Sequence, residues 1–170
     1  MESLKKEKKN GYTQGAWEGA KYDSNLGIKE IAQKIRQAAK EKYPKCKFSI
    51  TIQRYSGGQS MDIRLMSAPF EVFETPTMER AETLRGYGTA EEKLKYWKDA
   101  IERGSHQVNQ YYIKDDNYLN EKGKEIMKFL NDGATVYNYD DSDSQIDYFN
   151  TNFYVHLAVG KWDKPFIKTN

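Results

Sequence analysis

One cysteine, Cys46, is all the thiol chemistry the chain holds, and a lone thiol closes no internal disulfide. A reducing cytoplasm is the compartment this fits. Histidine is almost as scarce: only His106 and His156 occur, and no Cys or Glu accompanies either at a metal-ligand spacing. Neither long apolar runs nor a targeting pattern is evident. No stretch of about 18 apolar residues exists, and Met1 to Asn10 is rich in Lys and Glu with no apolar centre, so a standard signal peptide and a membrane span are not expected. Excess charge of one sign is missing too. With 27 basic and 25 acidic residues the net charge is +2, so partner preference must come from local patches. No internal repeat or low-complexity block interrupts the chain.

What is present is a length of 170 residues, enough for one domain with its own core, and an aromatic content of 14% that includes 13 tyrosines. Tyrosine suits half-buried sheet positions, and it also suits contact surfaces and base stacking. The organising stretch runs from Gly27 to Leu65. Ile28, Ile31, Ala32, Ile35, Ala38 and Ala39 recur at helical spacing until Pro44 stops them. Phe48, Ile50 and Ile52 then alternate with polar residues, and after Arg54-Tyr55-Ser56-Gly57-Gly58-Gln59 the alternation resumes at Met61, Ile63 and Leu65. This reads as a hairpin with one buried face.

Further on, Ser67-Ala68-Pro69 closes the second strand, and Phe70 to Gly88 reads as a long excursion with a short helix over Thr77 to Leu84. Thr89 and Glu92 form a capping box ahead of Leu94, Trp97 and Ile101, with Gly104 as the stop. Ser105 to Lys114 reads as a short strand or a linker. Asn120 opens another helix carrying Ile126, Met127, Phe129 and Leu130, which Asn131-Asp132-Gly133 is expected to end; Ala134 to Tyr139 is a candidate short strand. From Thr151 the chain alternates again through Phe153, Val155, Leu157 and Val159. The pattern predicts a single α+β domain: a small antiparallel sheet, made of hairpin 47–54/60–66 and strand 151–159, with helices 28–43, 90–103 and 120–131 packed on it. The domain is expected over 26–167, with residues 1–25 as a partly disordered tail.

Candidate binding residues fall into two groups. Arg54, Tyr55, Ser56, Gly57, Gly58, Ser60 and Arg64 surround the glycine turn, where the backbone approaches a ligand easily and where a plain hairpin turn would look the same. No helix starts directly after it, which excludes P-loop and dinucleotide arrangements. Tyr139, Asp140, Asp141, Asp143, Tyr148, Tyr154 and His156 form the second group. Asp141-x-Asp143 begins like a calcium loop, but Gln145 and Ile146 stand where a ligand and the turn glycine belong. Turn-shaping Asp and Ser side chains are the plainer reading of that run. Nothing assigns a catalytic residue, a metal site or a cofactor.

Two sets of residues carry a likeness to a known family. Lys29-Glu30-Ile31-Ala32 through Ile35-Arg36, Lys47-Phe48-Ser49-Ile50, and Tyr55-Ser56-Gly57-Gly58 through Ser60-Met61-Asp62-Ile63 form one set. The other is Tyr137-Asn138-Tyr139-Asp140-Asp141-Ser142-Asp143 through Asp147-Tyr148-Phe149, then Phe153-Tyr154 and Gly160-Lys161-Trp162-Asp163-Lys164-Pro165. Together they resemble a domain associated with the large polyvalent proteins of phages and conjugative elements. The resemblance implies a role in a mobile element, in the cytoplasm of a bacterial host, and it carries no residue-by-residue activity. A free-standing domain of this kind is expected to be a small non-enzymatic accessory protein, such as an anti-CRISPR, that binds a host defence effector or its nucleoprotein complex. The alternatives are a nucleic-acid-binding module and a metal-dependent nuclease using Asp140, Asp141, Asp143 and His156.

Overall fold

A computed structural model gives the structure of residues 3–170. Among these residues the elements run β1 (Lys5–Glu7), β2 (Trp17–Gly19), α1 (Ile28–Lys42), β3 (Lys47–Tyr55), β4 (Gly58–Ala68), α2 (Met78–Thr83), α3 (Ala90–Glu102), β5 (His106–Val108), α4 (Glu121–Thr135), β6 (Tyr139–Asp140), β7 (Tyr154–Val159) and β8 (Ile167–Lys168). The architecture is α+β, as the sequence pattern predicts. No helix among them is long and apolar enough to cross a membrane.

Helix α1 buries Ile28, Ile31, Ala32, Ile35 and Ala39 as one stripe. Its start is fixed by the Glu30 carboxylate, which accepts a hydrogen bond from the Gly27 N–H at 2.8 Å. Strands β3 and β4 form the expected hairpin, closed by the Tyr55–Gly58 pair, with Gly57 at φ 88° in the two-residue turn. Phe48, Ile50 and Ile52 lie opposite Leu65, Ile63 and Met61, and this face meets α1 and α4 in the core. Helix α3 starts at the expected box: Thr89 Oγ1 accepts from the Glu92 N–H, and Glu92 Oε2 accepts from the Thr89 N–H.

Four features differ from the sequence expectation. The main sheet has the order β3-β4-β7-β5, with β8 paired to the end of β4, and β7 runs parallel to β4. An antiparallel sheet was expected. Alternation fixes which β7 residues enter the core but says nothing of strand direction, and the long crossover through α2, α3 and α4 returns the chain at the same end of the sheet. Helix α4 passes through Asn131-Asp132-Gly133 and ends at Thr135. Leu130 and Ala134 are both fully buried, so its apolar stripe continues one turn beyond Leu130, through the glycine, and overrides the stop signal. The segment Ala134 to Tyr139 is accordingly the helix end, a turn over residues 136–138 and the first residue of β6.

The third difference is at the N-terminus, where the pattern of residues 1–25 predicts a partly disordered tail. Lys5–Glu7 pairs with Trp17–Gly19, and β2 pairs in turn with β6, giving a second sheet β1-β2-β6. Gly19 packs so tightly on the carbonyls of Thr135 and Val136 that no Cβ fits there. Lys5 Nζ sits 3.8 Å from the centroid of the Trp17 ring. Charge hid the segment, because its strands are too short to show alternation. Residues 1 and 2 lie outside the described residues. Fourth, the first part of the 70–88 excursion is anchored: Val72 is fully buried, and Asn120 Nδ2 donates to the Glu71 carbonyl.

Candidate functional site

Strand parity sends a second set of side chains to the sheet face opposite α1 and α4. These are Ser49, Thr51, Gln53 and Tyr55 from β3, Ser60, Asp62 and Arg64 from β4, Tyr154, His156 and Ala158 from β7, and Gln107 from β5. The register sets them in rows: Gln53, Ser60 and Tyr154; then Thr51, Asp62 and His156; then Ser49, Arg64, Ala158 and Gln107. All but Tyr55, Tyr154 and Ala158 are polar or charged.

Asp62 is the centre of this face. It is only 6% exposed, yet three side chains from three strands converge on it. Arg64 Nη2 lies 3.3 Å and His156 Nδ1 3.4 Å from Asp62 Oδ1, while Gln53 Nε2 donates to Oδ2 at 3.2 Å. A buried carboxylate requires such partners, so their positions are fixed by its desolvation. Beside the cluster is a hollow of about 300 Å³, to which Ser105, Gln107 and Trp162 also contribute. Trp162 is 89% exposed, Tyr55 49% and Tyr154 40%. The face thus combines a hydrogen-bonded polar centre with aromatic rings at its margins.

Of the turn residues, Tyr55, Ser60 and Arg64 belong to this face. The Tyr55 ring also lies against Gly58, where a Cβ would meet its Cε2 at 3.1 Å. Arg54 has the opposite parity, and Ser56 and Gly57 project at the exposed hairpin tip. Tyr154 and His156, expected with the acidic run, join the sheet face instead. Gln53, Asp62, Gln107 and Trp162 were not among the expected site residues. Alternation alone placed Asp62 away from the core, but only the parallel register puts His156 beside it.

The acidic run is a clasp for the N-terminal segment. Asp141 is almost completely buried and accepts from the Tyr12 N–H, the Thr13 N–H and Thr13 Oγ1 at 2.8, 2.8 and 2.9 Å. The Tyr12 N–H above all holds this carboxyl below the usual aspartate range; desolvation opposes it, and Thr13 and the Lys8 charge add to it. Asp140 and Asp143 each accept a backbone N–H two residues on, from Ser142 and Gln145. Tyr148 stacks on Tyr12 at 4.8 Å between centroids, and Lys8 Nζ lies 3.9 Å from the Tyr139 ring. Among the described residues no three His, Cys, Asp or Glu side chains converge to hold a metal. Asp140, Asp141 and Asp143 therefore do not form one centre with His156, whose partner is Asp62.

His106 is tied as firmly: its Nε2 is 2.7 Å from Asp116 Oδ2, and Tyr118 stacks edge-on at 4.9 Å. Burial pushes the Asp116 carboxyl up, but the His106 hydrogen bond and charge with the Tyr118 and Leu119 N–H groups leave it below its ordinary value. Cys46 is half-buried, and burial raises its thiol pKa, which suits packing and not nucleophilic attack.

The sequence model of the large polyvalent protein associated domain 29 family matches residues 26–152. The chain belongs to this family. No curated protein and no solved structure matches it. Membership associates the chain with phage and mobile-element proteins. The matched region of this domain 29 member contains α1, the β3–β4 hairpin, α4 and the acidic clasp, and it stops just short of β7, which completes the Asp62 cluster with His156.

Proposed function

We propose that this domain 29 protein is a non-enzymatic accessory protein of a mobile element that inhibits a host defence effector, such as a CRISPR nuclease or its guide complex, by binding it through the Asp62 face. The observation that supports this reading is the sheet face itself: a fixed cluster of Gln53, Asp62, Arg64 and His156 with Tyr55, Tyr154 and Trp162 exposed around it. Protein interfaces favour aromatic anchors and arginine, with polar groups already held in place. The carboxylates that a nuclease would need are engaged by backbone donors. The test is a plaque assay in a host carrying an active CRISPR system, with gel filtration of the chain mixed with the purified effector. Expected is restored plaquing and co-elution, both lost in the double variant Tyr154→Ala, Trp162→Ala. If the unaltered chain gives no plaquing and no co-elution, the reading is overturned.

A second reading, a nucleic-acid-binding module, draws on Arg54, Arg64 and the tyrosines of the same hairpin. Against it, Asp62 lies directly against the Arg64 guanidinium, which reduces the field available to phosphates. Fluorescence anisotropy with single-stranded and duplex DNA at two salt concentrations separates the two: a steep loss of binding with salt would favour nucleic acid.

A further inference from the structure

Away from the Asp62 face, and sharing no residue with it, is a hollow of about 490 Å³ between the 84–88 loop, one side of α3, and Asn117-Tyr118. Clefts of roughly 300–1,000 Å³ take small organic ligands. Three tyrosines line it: Tyr87, Tyr96 and Tyr118. Two cations, Arg85 and Lys95, stand at the same opening, and the Asn117 amide offers both a donor and an acceptor. Of the other charged side chains, Lys93 Nζ is committed to the Leu84 carbonyl at 2.8 Å, and Glu92 to the Thr89 N–H at 2.8 Å. Those bonds leave both charges in place, so the lining carries Arg85, Lys93 and Lys95 against Glu92 and Asp99, a net positive rim over an aromatic wall.

The exposure of the rings is the unusual part. Tyr87 is fully exposed and Tyr96 is 70% exposed, whereas Tyr118 is seated against Trp97 with centroids 6.1 Å apart. Tyr87 stands between Gly86 at φ 115° and Gly88 at φ 100°, so neither neighbour carries a Cβ to hold its backbone. The Tyr87 ring therefore stands in solvent at the mouth of the cleft that Tyr96 and Tyr118 line, an exposure that costs free energy unless something covers it.

We propose that this cleft binds a nucleoside monophosphate, with the base stacked on Tyr96 and Tyr118, Tyr87 closing over it, and the phosphate on Arg85 and Lys95. A base supplies the flat π-surface that the tyrosines match, Asn117 reads its polar edge, and the phosphate answers the positive rim. Neither an aliphatic ligand nor a bare anion would use all three features.

The test is isothermal titration of the full chain with AMP, GMP, CMP and UMP in turn, with adenosine and inorganic phosphate as separate arms. Trp97, next to Tyr118, gives a fluorescence readout of the same titration. At least one monophosphate is expected to saturate, more tightly than either adenosine or phosphate alone. Tyr96→Ala should weaken it by about fivefold or more, the low end of what loss of one stacking partner costs. Arg85→Ala should weaken the monophosphate and leave adenosine unchanged. Both side chains are on the surface, and unchanged circular dichroism confirms that the variants fold. The proposal is overturned if no monophosphate saturates at millimolar concentration, if phosphate alone binds as tightly, or if both variants bind like the unaltered chain. These outcomes are independent of the plaque assay.

Discussion

Asp141 and Gly19 show how single residues attach the N-terminal segment. Three donors from Tyr12 and Thr13 converge on the Asp141 carboxylate, and they favour its charged form. A carboxyl whose pKa is lowered on folding contributes stability that is present above the unfolded value, about 3.9, and is lost as pH falls through the lowered native value. Amide exchange should therefore show Tyr12 and Thr13 protected at neutral pH and released in acid before β3 and β4 open. Asp141→Ala should release the same two amides already at pH 7; unchanged protection factors in that variant would show that the clasp is held by something else. Gly19→Ala places a methyl group against the Thr135 and Val136 carbonyls. Overpacking of this kind costs about 1–3 kcal/mol, which a thermal melt would record as a lowered midpoint.

Helix α4 is the element on which local and tertiary signals disagree most plainly. Asn131-Asp132-Gly133 is a good stop signal, yet burial of Ala134 carries the helix on to Thr135. Gly133 is then a helical glycine whose added Cβ would make only ordinary contact with Ile35, at 3.9 Å. Gly133→Ala should raise stability by about 0.5–1 kcal/mol, through lower unfolded-state entropy, with a higher melting midpoint as the measurement. Gly123→Ala makes the contrast within the same helix. Its Cβ would meet the Val72 carbonyl at 2.5 Å, so that variant should melt lower. At the sheet margin, β3 is an edge strand of nine residues, and Arg36 Nη2 donates to the Ile50 carbonyl at 2.6 Å. That bond occupies one of the edge acceptors that would otherwise be open to a neighbouring chain.

For the whole molecule, the parallel β4–β7 pair joins segments far apart in sequence, with Ser60 opposite Tyr154 and Leu65 opposite Val159. A fragment limited to residues 26–152 lacks β7, and with it Leu157 and Val159 from the core and the strand that separates β4 from β5. Such a fragment should show no cooperative melt by circular dichroism, whereas the full chain should. Pairing of distant segments also delays folding, because loop closure precedes the reward; stopped-flow refolding in milliseconds or slower is expected. Elements whose signal is local are legible along the chain: the α1 stripe, the capping box at Thr89, the hairpin about Gly57, and the inward sets of β3, β4 and β7. Periodicity, caps and turn residues act within a few positions of each other, so one chain suffices to read them. Packing of the folded chain sets the direction of β7, the pairing of Lys5–Glu7 with Trp17–Gly19 and of the latter with β6, and the meeting of Gln53, Asp62, Arg64 and His156. Each of those depends on which distant segment lies alongside, and that choice is made by burying the whole apolar surface at once.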